Sequence, residues 1–259
     1  MGAILCGQQV PDRPIAGWHG LHNKNRPDAR GEGTLRRVLD TAQLLRRHDV
    51  TFNVLTVVTN DTADKLDLVY DFFARHDLRW QQYIPCLDAF GENQGWLTVD
   101  KYAQFLCRLF DRWAEDVMQG RFIYIRQFEN YLGMLLGRPA ESCGMMGCCG
   151  MQYTVEADGS VYPCDFYVLD AYRLGSFVTD DFDALDEKRH ALRFVEDSAE
   201  KDAECLKCRY YPLCRGGCRR DRDDGAGHLS RTRFCSAYMK FFDYALPRLQ
   251  HIAARCANR

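Results

Sequence analysis

The feature that most constrains this chain is its cysteine distribution. Nine of its 13 cysteines lie in one stretch, from Cys143 to Cys235, of a chain of 259 residues. An odd number excludes complete internal disulfide pairing, and residues 1–6 lack the basic region and the apolar stretch of a secretory signal. We therefore expect a cytoplasmic protein whose reduced thiols are available to bind metal.

Composition excludes several classes of protein. Hydrophobic residues make up 46% and charged residues 27% of the chain, which is the balance of a globular protein and not of a disordered one. The sequence has no run of about 18 uncharged apolar residues, so we expect no membrane span. The net charge of −2 gives no general attraction to nucleic acid. Arginines and aspartates alternate irregularly over 215–233, and this mixture predicts a solvated loop.

The first half of the chain alternates helical and strand patterns. The spacing of apolar residues predicts helices over 34–48, 62–76 and 98–120. Two runs rich in β-branched or aromatic residues, 51–58 and 79–85, predict strands between those helices. Strands that alternate with helices indicate an α/β fold with a mostly parallel sheet. Two or three such units do not close a barrel, so we expect this region to be part of a larger fold.

Local signals predict the remaining elements. Thr34 is expected to be the N-cap of the first helix, and Asp158-Gly159 is a hairpin-turn signal. An amphipathic helix is predicted over 234–254, and residues 7–33 show no periodicity that would support an element. A break in the helical pattern just before residue 140 predicts a domain boundary there.

The cysteine spacing allows three kinds of site. The C-x2-C-x5-C-x3-C run consists of Cys205, Cys208, Cys214 and Cys218, and it is accompanied by Cys143, Cys148, Cys149, Cys164 and Cys235. Disulfides are disfavoured by the reducing compartment, whereas closely spaced thiolates suit either zinc or iron–sulfur clusters. The spacing favours iron–sulfur over two symmetrical zinc knuckles, and eight cysteines suit two four-iron clusters.

Several of these cysteines stand in longer motifs. Gly159 and Cys164 form a G-x4-C that precedes the cysteine run. Other notable segments are HNKNR at 22–26, YIPCLD at 83–88, SCG at 142–144, EADGSVYPCDFYVLD at 156–170 and CRGGCRR at 214–220. Together they resemble the SPASM domain of radical S-adenosylmethionine enzymes, and more narrowly the anaerobic sulfatase-maturating enzymes. The similarity runs from about residue 17 to near the C-terminus.

The resemblance implies a fold and its division into domains. It implies the C-terminal part of a partial (β/α) barrel, followed by a cysteine-rich SPASM iron–sulfur domain and a C-terminal helix. The expected limits are an atypical N-terminus over 1–16, an incomplete radical S-adenosylmethionine barrel over 17–140, and the SPASM auxiliary-cluster domain with its helix over 141–259.

The resemblance also implies a set of site residues. One [4Fe–4S] cluster would be bound by Cys143, Cys149, Cys164 and Cys218, and a second by Cys205, Cys208, Cys214 and Cys235. Cys148 is adjacent to Cys149, and the two roles can be exchanged. Asp165 matches the proton acceptor proposed for the family. Without the resemblance, a carboxylate beside a cluster ligand is equally well a solvated turn residue.

The function implied is oxidation of a Cys or Ser side chain of a sulfatase to 3-oxoalanine (formylglycine). In the family a third cluster, held by Cys-x3-Cys-x2-Cys, cleaves S-adenosylmethionine to a radical. This sequence has no such motif, because the first cysteine after Cys6 is Cys86. We therefore expect a truncated gene, a frameshifted start or a fragmentary gene model, and a chain inactive by itself. The implied partners are a sulfatase polypeptide and an electron donor such as flavodoxin or ferredoxin. The alternatives are a non-catalytic iron–sulfur or zinc module that docks peptides, and another SPASM peptide-modifying enzyme.

Overall fold

The chain forms two compact units in a computed structural model that describes residues 18–257 except 91 and 93. Unit 1 contains the described residues up to Leu136 together with those from Ser236 onward, and unit 2 contains Gly137–Cys235. The predicted atypical N-terminus over 1–16 lies outside the described residues. The predicted domain limits at 140 and 141 stay a prediction.

Unit 1 is built on a small parallel sheet. Its elements are helices α1 (Trp18–Asn25) and α2 (Leu35–Arg47), strand β1 (Val54–Val58), helices α3 (Asn60–Asp64) and α4 (Leu66–Arg75), strand β2 (Trp80–Pro85), helix α5 (Val99–Met118), strand β3 (Tyr124–Ile125) and helix α6 (Arg126–Leu135). The strands pair in the order β1-β2-β3 and are all parallel, with Val54 opposite Gln81 and Trp80 opposite Tyr124. Helical crossovers between parallel strands confirm the predicted α/β class. The predicted barrel portion stays a prediction.

Unit 2 consists of short elements. They are helix α7 (Cys143–Met146), strands β4 (Thr154–Val155) and β5 (Ser160–Tyr162), 3-10 helices at Asp165–Tyr167 and Asp170–Tyr172, strand β6 (Gly175–Ser176), and helices α8 (Phe182–Ala191), α9 (Phe194–Ala199), α10 (Ala203–Leu206), α11 (Tyr211–Cys214) and α12 (Arg219–Arg222). The three strands form an antiparallel sheet in the order β4-β5-β6. Helix α13 (Cys235–Ala257) begins at the last residue of unit 2. Within the described residues, no helix is long and apolar enough to cross a membrane.

The hairpin between β4 and β5 forms at the predicted turn. Asp158 Oδ1 accepts the Ser160 N–H at 2.9 Å, and Gly159 has a φ of +84°. A Cβ at Gly159 would lie 2.7 Å from Val178 Cγ2. Both the left-handed backbone and this close approach require glycine. The turn brings β5 into register, and β5 leads directly to Cys164.

Helix α5 supplies the centre of the unit 1 core. Its apolar stripe is almost fully buried, with Phe105, Phe110 and Trp113 each no more than 1% exposed. The Phe110 ring packs edge-on against Phe128 of α6 and Phe241 of α13, with centroid distances of 5.5 and 5.9 Å. Each fully buried aromatic side chain contributes about 1.5–3 kcal/mol of burial free energy. This packing joins α13 to α5 and α6 within the same unit.

The first two helices differ from the sequence prediction. Residues 7–33 were expected to contain no element, and this was wrong for α1. Thr34 stands at the N-cap position of α2, but its side chain makes no capping bond; the hydroxyl donates to the Arg26 carbonyl at 2.6 Å. The Leu35 N–H instead donates to Asn23 Oδ1 at 3.0 Å. A side chain from α1 therefore satisfies the first amide of α2, which a local pattern does not reveal.

The predicted helix over 62–76 is two helices in the structure. The Thr59 hydroxyl accepts the Thr62 N–H at 3.2 Å and so starts α3 earlier than predicted. Lys65, with φ −100° and ψ 21°, then separates α3 from α4. The apolar spacing of α4 was read correctly, because Leu66, Val69 and Phe73 are buried.

Candidate metal centre

Cys164 is buried just beyond the end of strand β5 of the antiparallel sheet. It follows β5 by two residues, is 8% exposed, and has an extended backbone with φ −163°. Burial and, to a smaller extent, the nearby Asp165 carboxylate raise the pKa of its thiol to about 12, although the hydrogen bond from the Phe166 N–H opposes both. The position is therefore fixed by the hairpin that Asp158 and Gly159 close.

Three cysteines gather around Cys164, and we call the four residues the first thiol group: Cys143, Cys149, Cys164 and Cys218. The Cys149 thiol interacts electrostatically with Cys143, and it in turn affects the thiols of Cys164 and Cys218. A Cβ placed on Gly144 would lie 3.5 Å from Cys218 Cβ, so α7 lies directly against Cys218. Burial is the main cause of the raised pKa of both Cys149 and Cys218. Chain segments distant in sequence thus meet at one place.

Helix α9 positions one member of this group. The Cys149 N–H donates to Ser198 Oγ at 2.7 Å, and Ser198 Oγ donates to the Val195 carbonyl of the same helix. Ser198 is fully buried. This link fixes the backbone at Cys149. Cys148, its neighbour, interacts electrostatically with the ammonium of Lys201.

Apart from Cys148, the remaining cysteines of unit 2 form the second thiol group: Cys205, Cys208, Cys214 and Cys235. The thiol of Cys214 interacts electrostatically with the other three, and Cys235 interacts with Cys208. Short turns bring them together, since the Cys208 N–H donates to the Cys205 carbonyl at 3.1 Å and the Cys235 N–H to the Thr232 carbonyl at 2.9 Å. Burial raises the pKa of Cys214 to about 11 and also raises those of Cys205 and Cys235.

Other cysteines lie outside these two groups. Cys86, Cys107 and Cys256 belong to unit 1 and form no disulfide bond among the described residues. Cys107 lies on α5, where burial raises the pKa of its thiol. Within the part of the chain that the structure describes, no three His, Cys, Asp or Glu side chains are placed to hold a single metal ion.

Asp165 begins the 3-10 helix that follows Cys164. Its side chain is exposed, and its Oδ1 accepts the Cys164 thiol proton at 3.3 Å. The same helix places Tyr167 inward, where its hydroxyl donates to Asp223 Oδ2 at 2.8 Å. Asp165 is thus a carboxylate at the surface, next to a buried thiol.

The arginine-rich segment is where the sequence prediction failed most clearly. We expected a solvated loop, but Arg219, Arg220, Asp221 and Arg222 are all less than a tenth exposed. They form α12, which starts directly after Cys218. Arg219 Nη1 donates to the Phe194 carbonyl at 2.7 Å, and Arg222 Nη1 donates to the Glu200 carbonyl at 2.7 Å. The sequence signal that could have indicated burial is the i, i+3 spacing of Arg219 and Arg222, which starts directly after Cys218.

Comparison with known proteins identifies unit 2. Residues 146–209 match the SPASM family, described as an iron–sulfur cluster-binding domain. That range includes Cys149, Cys164, Cys205 and Cys208 of the two thiol groups, whose other four members lie outside it. The predicted SPASM iron–sulfur domain is therefore confirmed.

Curated relatives extend the similarity to both units. The chain is 37% identical over 250 residues to the Cysteine-type anaerobic sulfatase-maturating enzyme of Clostridium novyi, covering 95% of this chain and 67% of that protein. It is 41% identical to the enzyme of the same type from Clostridium perfringens, over 90% of this chain and 64% of that protein. The Serine-type enzyme of Klebsiella aerogenes is 27% identical.

Solved structures agree with these relatives. Histidine-tagged anSMEcpe with bound AdoMet superposes with a TM-score of 0.86 at 42% identity, over 92% of this chain and 64% of that one. Native anSMEcpe with bound AdoMet and the Kp18Cys peptide gives a TM-score of 0.84 at 42% identity, over 92% of this chain and 67% of that one. The chain thus spans about two thirds of the length of the proteins it matches. It belongs to the anaerobic sulfatase-maturating enzymes, radical S-adenosylmethionine proteins with a SPASM domain.

Proposed function

We propose that this chain supplies the auxiliary-cluster part of an anaerobic sulfatase maturase, which oxidises a side chain of a sulfatase to 3-oxoalanine. The observation that carries the proposal is the sorting of eight cysteines into two groups of four. Four thiolates are a complete ligand set for a four-iron cluster, and each group consists of soft sulfur donors, which suit iron–sulfur clusters.

We assign one [4Fe–4S] cluster to each thiol group. The first would be held by Cys143, Cys149, Cys164 and Cys218, and the second by Cys205, Cys208, Cys214 and Cys235. Cys149 is preferred to Cys148 because the Cys149 thiol interacts with Cys143 and with Cys218. Lys201 interacts with both thiols and does not distinguish them. A bound cluster supplies a one-electron acceptor.

We assign proton transfer to Asp165. Its carboxylate is exposed and lies one residue from the Cys164 thiol, so a substrate side chain can reach it from solvent. A carboxylate within hydrogen-bond distance of a substrate thiol or hydroxyl can accept its proton while the Cβ is oxidised. When Cys164 binds iron, its thiol proton is lost, and Asp165 Oδ1 is released from that hydrogen bond.

The relatives favour a thiol substrate over a hydroxyl substrate. The two Clostridium proteins of the Cysteine type are 37% and 41% identical to this chain, and the Serine-type protein of Klebsiella aerogenes is 27% identical. We therefore propose a Cys side chain of a sulfatase polypeptide as substrate, with S-adenosylmethionine as radical source. We further propose flavodoxin or ferredoxin as electron donor and a cytoplasmic location, where cysteines remain reduced.

The test begins with metal content. After anaerobic reconstitution, the chain should bind iron and sulfide at about eight of each. A colourless protein that holds stoichiometric zinc would contradict the iron–sulfur assignment.

The catalytic part of the proposal requires a chimera. The sequence has no Cys-x3-Cys-x2-Cys, so the matching N-terminal segment of the Clostridium perfringens relative is fused before it. The chimera should convert a Cys-containing sulfatase peptide to its 3-oxoalanine form. Full cluster content and peptide binding without turnover would instead support the non-catalytic docking module, which the peptide-bound relative makes the second candidate.

A further inference from the structure

Helix α12 places an excess of buried positive charge beside the first thiol group. It carries three guanidinium groups and one carboxylate, and each of these four residues is less than a tenth exposed. Arginine remains protonated in proteins, and burying uncompensated charge is unfavourable. Buried cations of this kind are stabilised by nearby negative groups, and Asp221 is one such group for Arg222.

Two of these arginines also interact with the first thiol group. Arg219 and Arg222 both interact electrostatically with the Cys149 thiol, and Arg222 interacts with Cys218 as well. A chain of bonds supports this geometry, because Arg222 Nη2 donates to the Ser198 carbonyl and Ser198 Oγ accepts the Cys149 N–H. The two arginines thus lie on the side of the first thiol group that α9 covers.

The hydrogen bonds that Arg219 and Arg222 donate do not neutralise their charge. Their acceptors are the carbonyl oxygens of Phe194, Ser198 and Glu200. The Arg219 guanidinium also lies 4.5 Å from the centroid of the Phe194 ring, a cation–π contact that stabilises the cation but leaves its charge in place. The Nε atoms of Arg219 and Arg222 have no hydrogen-bond partner among the residues that the structure describes.

The second thiol group differs in the exposure of its charged neighbours, since carboxylates lie beside both groups, with Asp165 and Asp221 at the first. Cys235 interacts with two carboxylates, Asp202 and Glu204, and with one cation, Arg231. Arg231 and Glu204 form an exposed ion pair, with side chains 49% and 71% exposed. Water screens such charges strongly. The two groups therefore differ in the burial of the cations beside them, since Arg219 and Arg222 are buried and Arg231 is exposed.

We propose that Arg219 and Arg222 raise the reduction potential of the cluster at the first thiol group above that of the cluster at the second. The inference rests on the proposed function, since it requires that both clusters bind. On reduction a cluster gains one electron and its net charge becomes more negative, and in the test dithionite supplies that electron. Buried cations stabilise the more negative state, and local charge is a known determinant of cluster potential.

The test is a redox titration of the reconstituted chain, followed by electron paramagnetic resonance. The unaltered protein should show two midpoints, and Cys164→Ala should remove the signal of higher potential. Arg222→Gln and Arg219→Gln should each lower that midpoint, with at least a tenfold fall in the ratio of reduced to oxidised cluster at a fixed potential, or about 59 mV for one electron. The midpoint of the second cluster is the internal reference and should not move.

Two control variants separate charge from packing. Arg222→Lys keeps the charge but loses the bidentate geometry, so its midpoint should stay close to that of the unaltered protein. Arg193→Gln removes an exposed arginine of the same unit, which pairs with Asp197 at 3.0 Å, and it should shift neither midpoint.

Each outcome of these titrations either supports or contradicts the inference about the two arginines. Equal midpoints in the unaltered protein, or loss of the lower-potential signal in Cys164→Ala, would overturn the inference whether or not the arginine variants fold. Unchanged midpoints in Arg222→Gln, or an equal shift in Arg222→Lys, would do the same while iron remains at about eight per chain. A chain that binds no cluster would overturn the proposed function together with the inference.

Discussion

Replacing Ser198 with Ala should weaken the first thiol group more than its small change in volume suggests. The hydroxyl is fully buried and holds two partners, since it accepts the Cys149 N–H at 2.7 Å and donates to the Val195 carbonyl. The methyl group of Ala can do neither. A buried amide left without a partner costs about 1–3 kcal/mol, and a neutral hydrogen bond contributes about 0.5–1.5 kcal/mol net. Because Cys149 is half-buried, we expect a loss of about 2 kcal/mol.

The assay is anaerobic urea unfolding of the reconstituted chain, with bound iron measured in parallel. Ser198→Ala should unfold at a lower urea concentration and should release iron from the first thiol group sooner than from the second. Ser230→Ala is the matched control, because its exposed hydroxyl makes only long contacts of 3.3–3.4 Å and should change stability by less than about 0.5 kcal/mol. If both variants unfolded at the same urea concentration, the link between α9 and Cys149 would not stabilise the site.

Three further predictions concern single residues. Cys205→Ala should lose about half of the bound iron and part of the folding free energy, because metal binding is coupled to folding. Cys107→Ala on α5 should lose no iron. Equal losses in the two variants, measured by iron analysis and thermal unfolding, would show that the ligand set is wrong. Asp165→Asn in the chimera should slow formation of 3-oxoalanine by about 10²- to 10⁴-fold with unchanged iron content, and turnover at the unaltered rate would remove Asp165 from the mechanism. Gly159→Ala should destabilise the hairpin by at least about 1 kcal/mol in urea unfolding, since φ is +84°, and an unchanged midpoint would contradict the requirement for glycine.

The sequence predicted those elements of the fold that local periodicity determines. Helix α5 was predicted within two residues at each end, because its apolar stripe is continuous and the Thr98 hydroxyl caps it by accepting the Lys101 N–H. The split at Lys65 was not predicted, because the residues on both sides carry a helical pattern and only the backbone at one residue departs from it. Helix α1 was missed because its residues are polar and its role depends on a bond from Asn23 to the start of α2.

In the candidate site, too, local spacing predicted part of the arrangement, whereas contacts between distant segments were not predicted. Spacing alone grouped Cys205, Cys208 and Cys214, which lie within ten residues that turn through short helices, but it placed Cys218 with them, and only the family resemblance suggested Cys235. The first group includes Cys143 and Cys218, with the sheet of unit 2 and helices α8 to α11 between them in the chain. Spacing did not determine how those segments meet, and only the family resemblance suggested the set.

The arginines of α12 show why it is difficult to infer from sequence whether a run of charged residues is buried or exposed. A run of mixed charge is normally solvated, since burial of an ionised group is costly. That cost is reduced when the protein supplies neutral acceptors, as the carbonyl oxygens of Phe194, Ser198 and Glu200 do here, and when a negative group lies opposite. Thiolates that bind iron are such a group, so the same cysteine spacing that predicts a cluster also removes the reason to place the following arginines in solvent. A charged run that directly follows a cluster cysteine is therefore better interpreted together with that cysteine than as a loop.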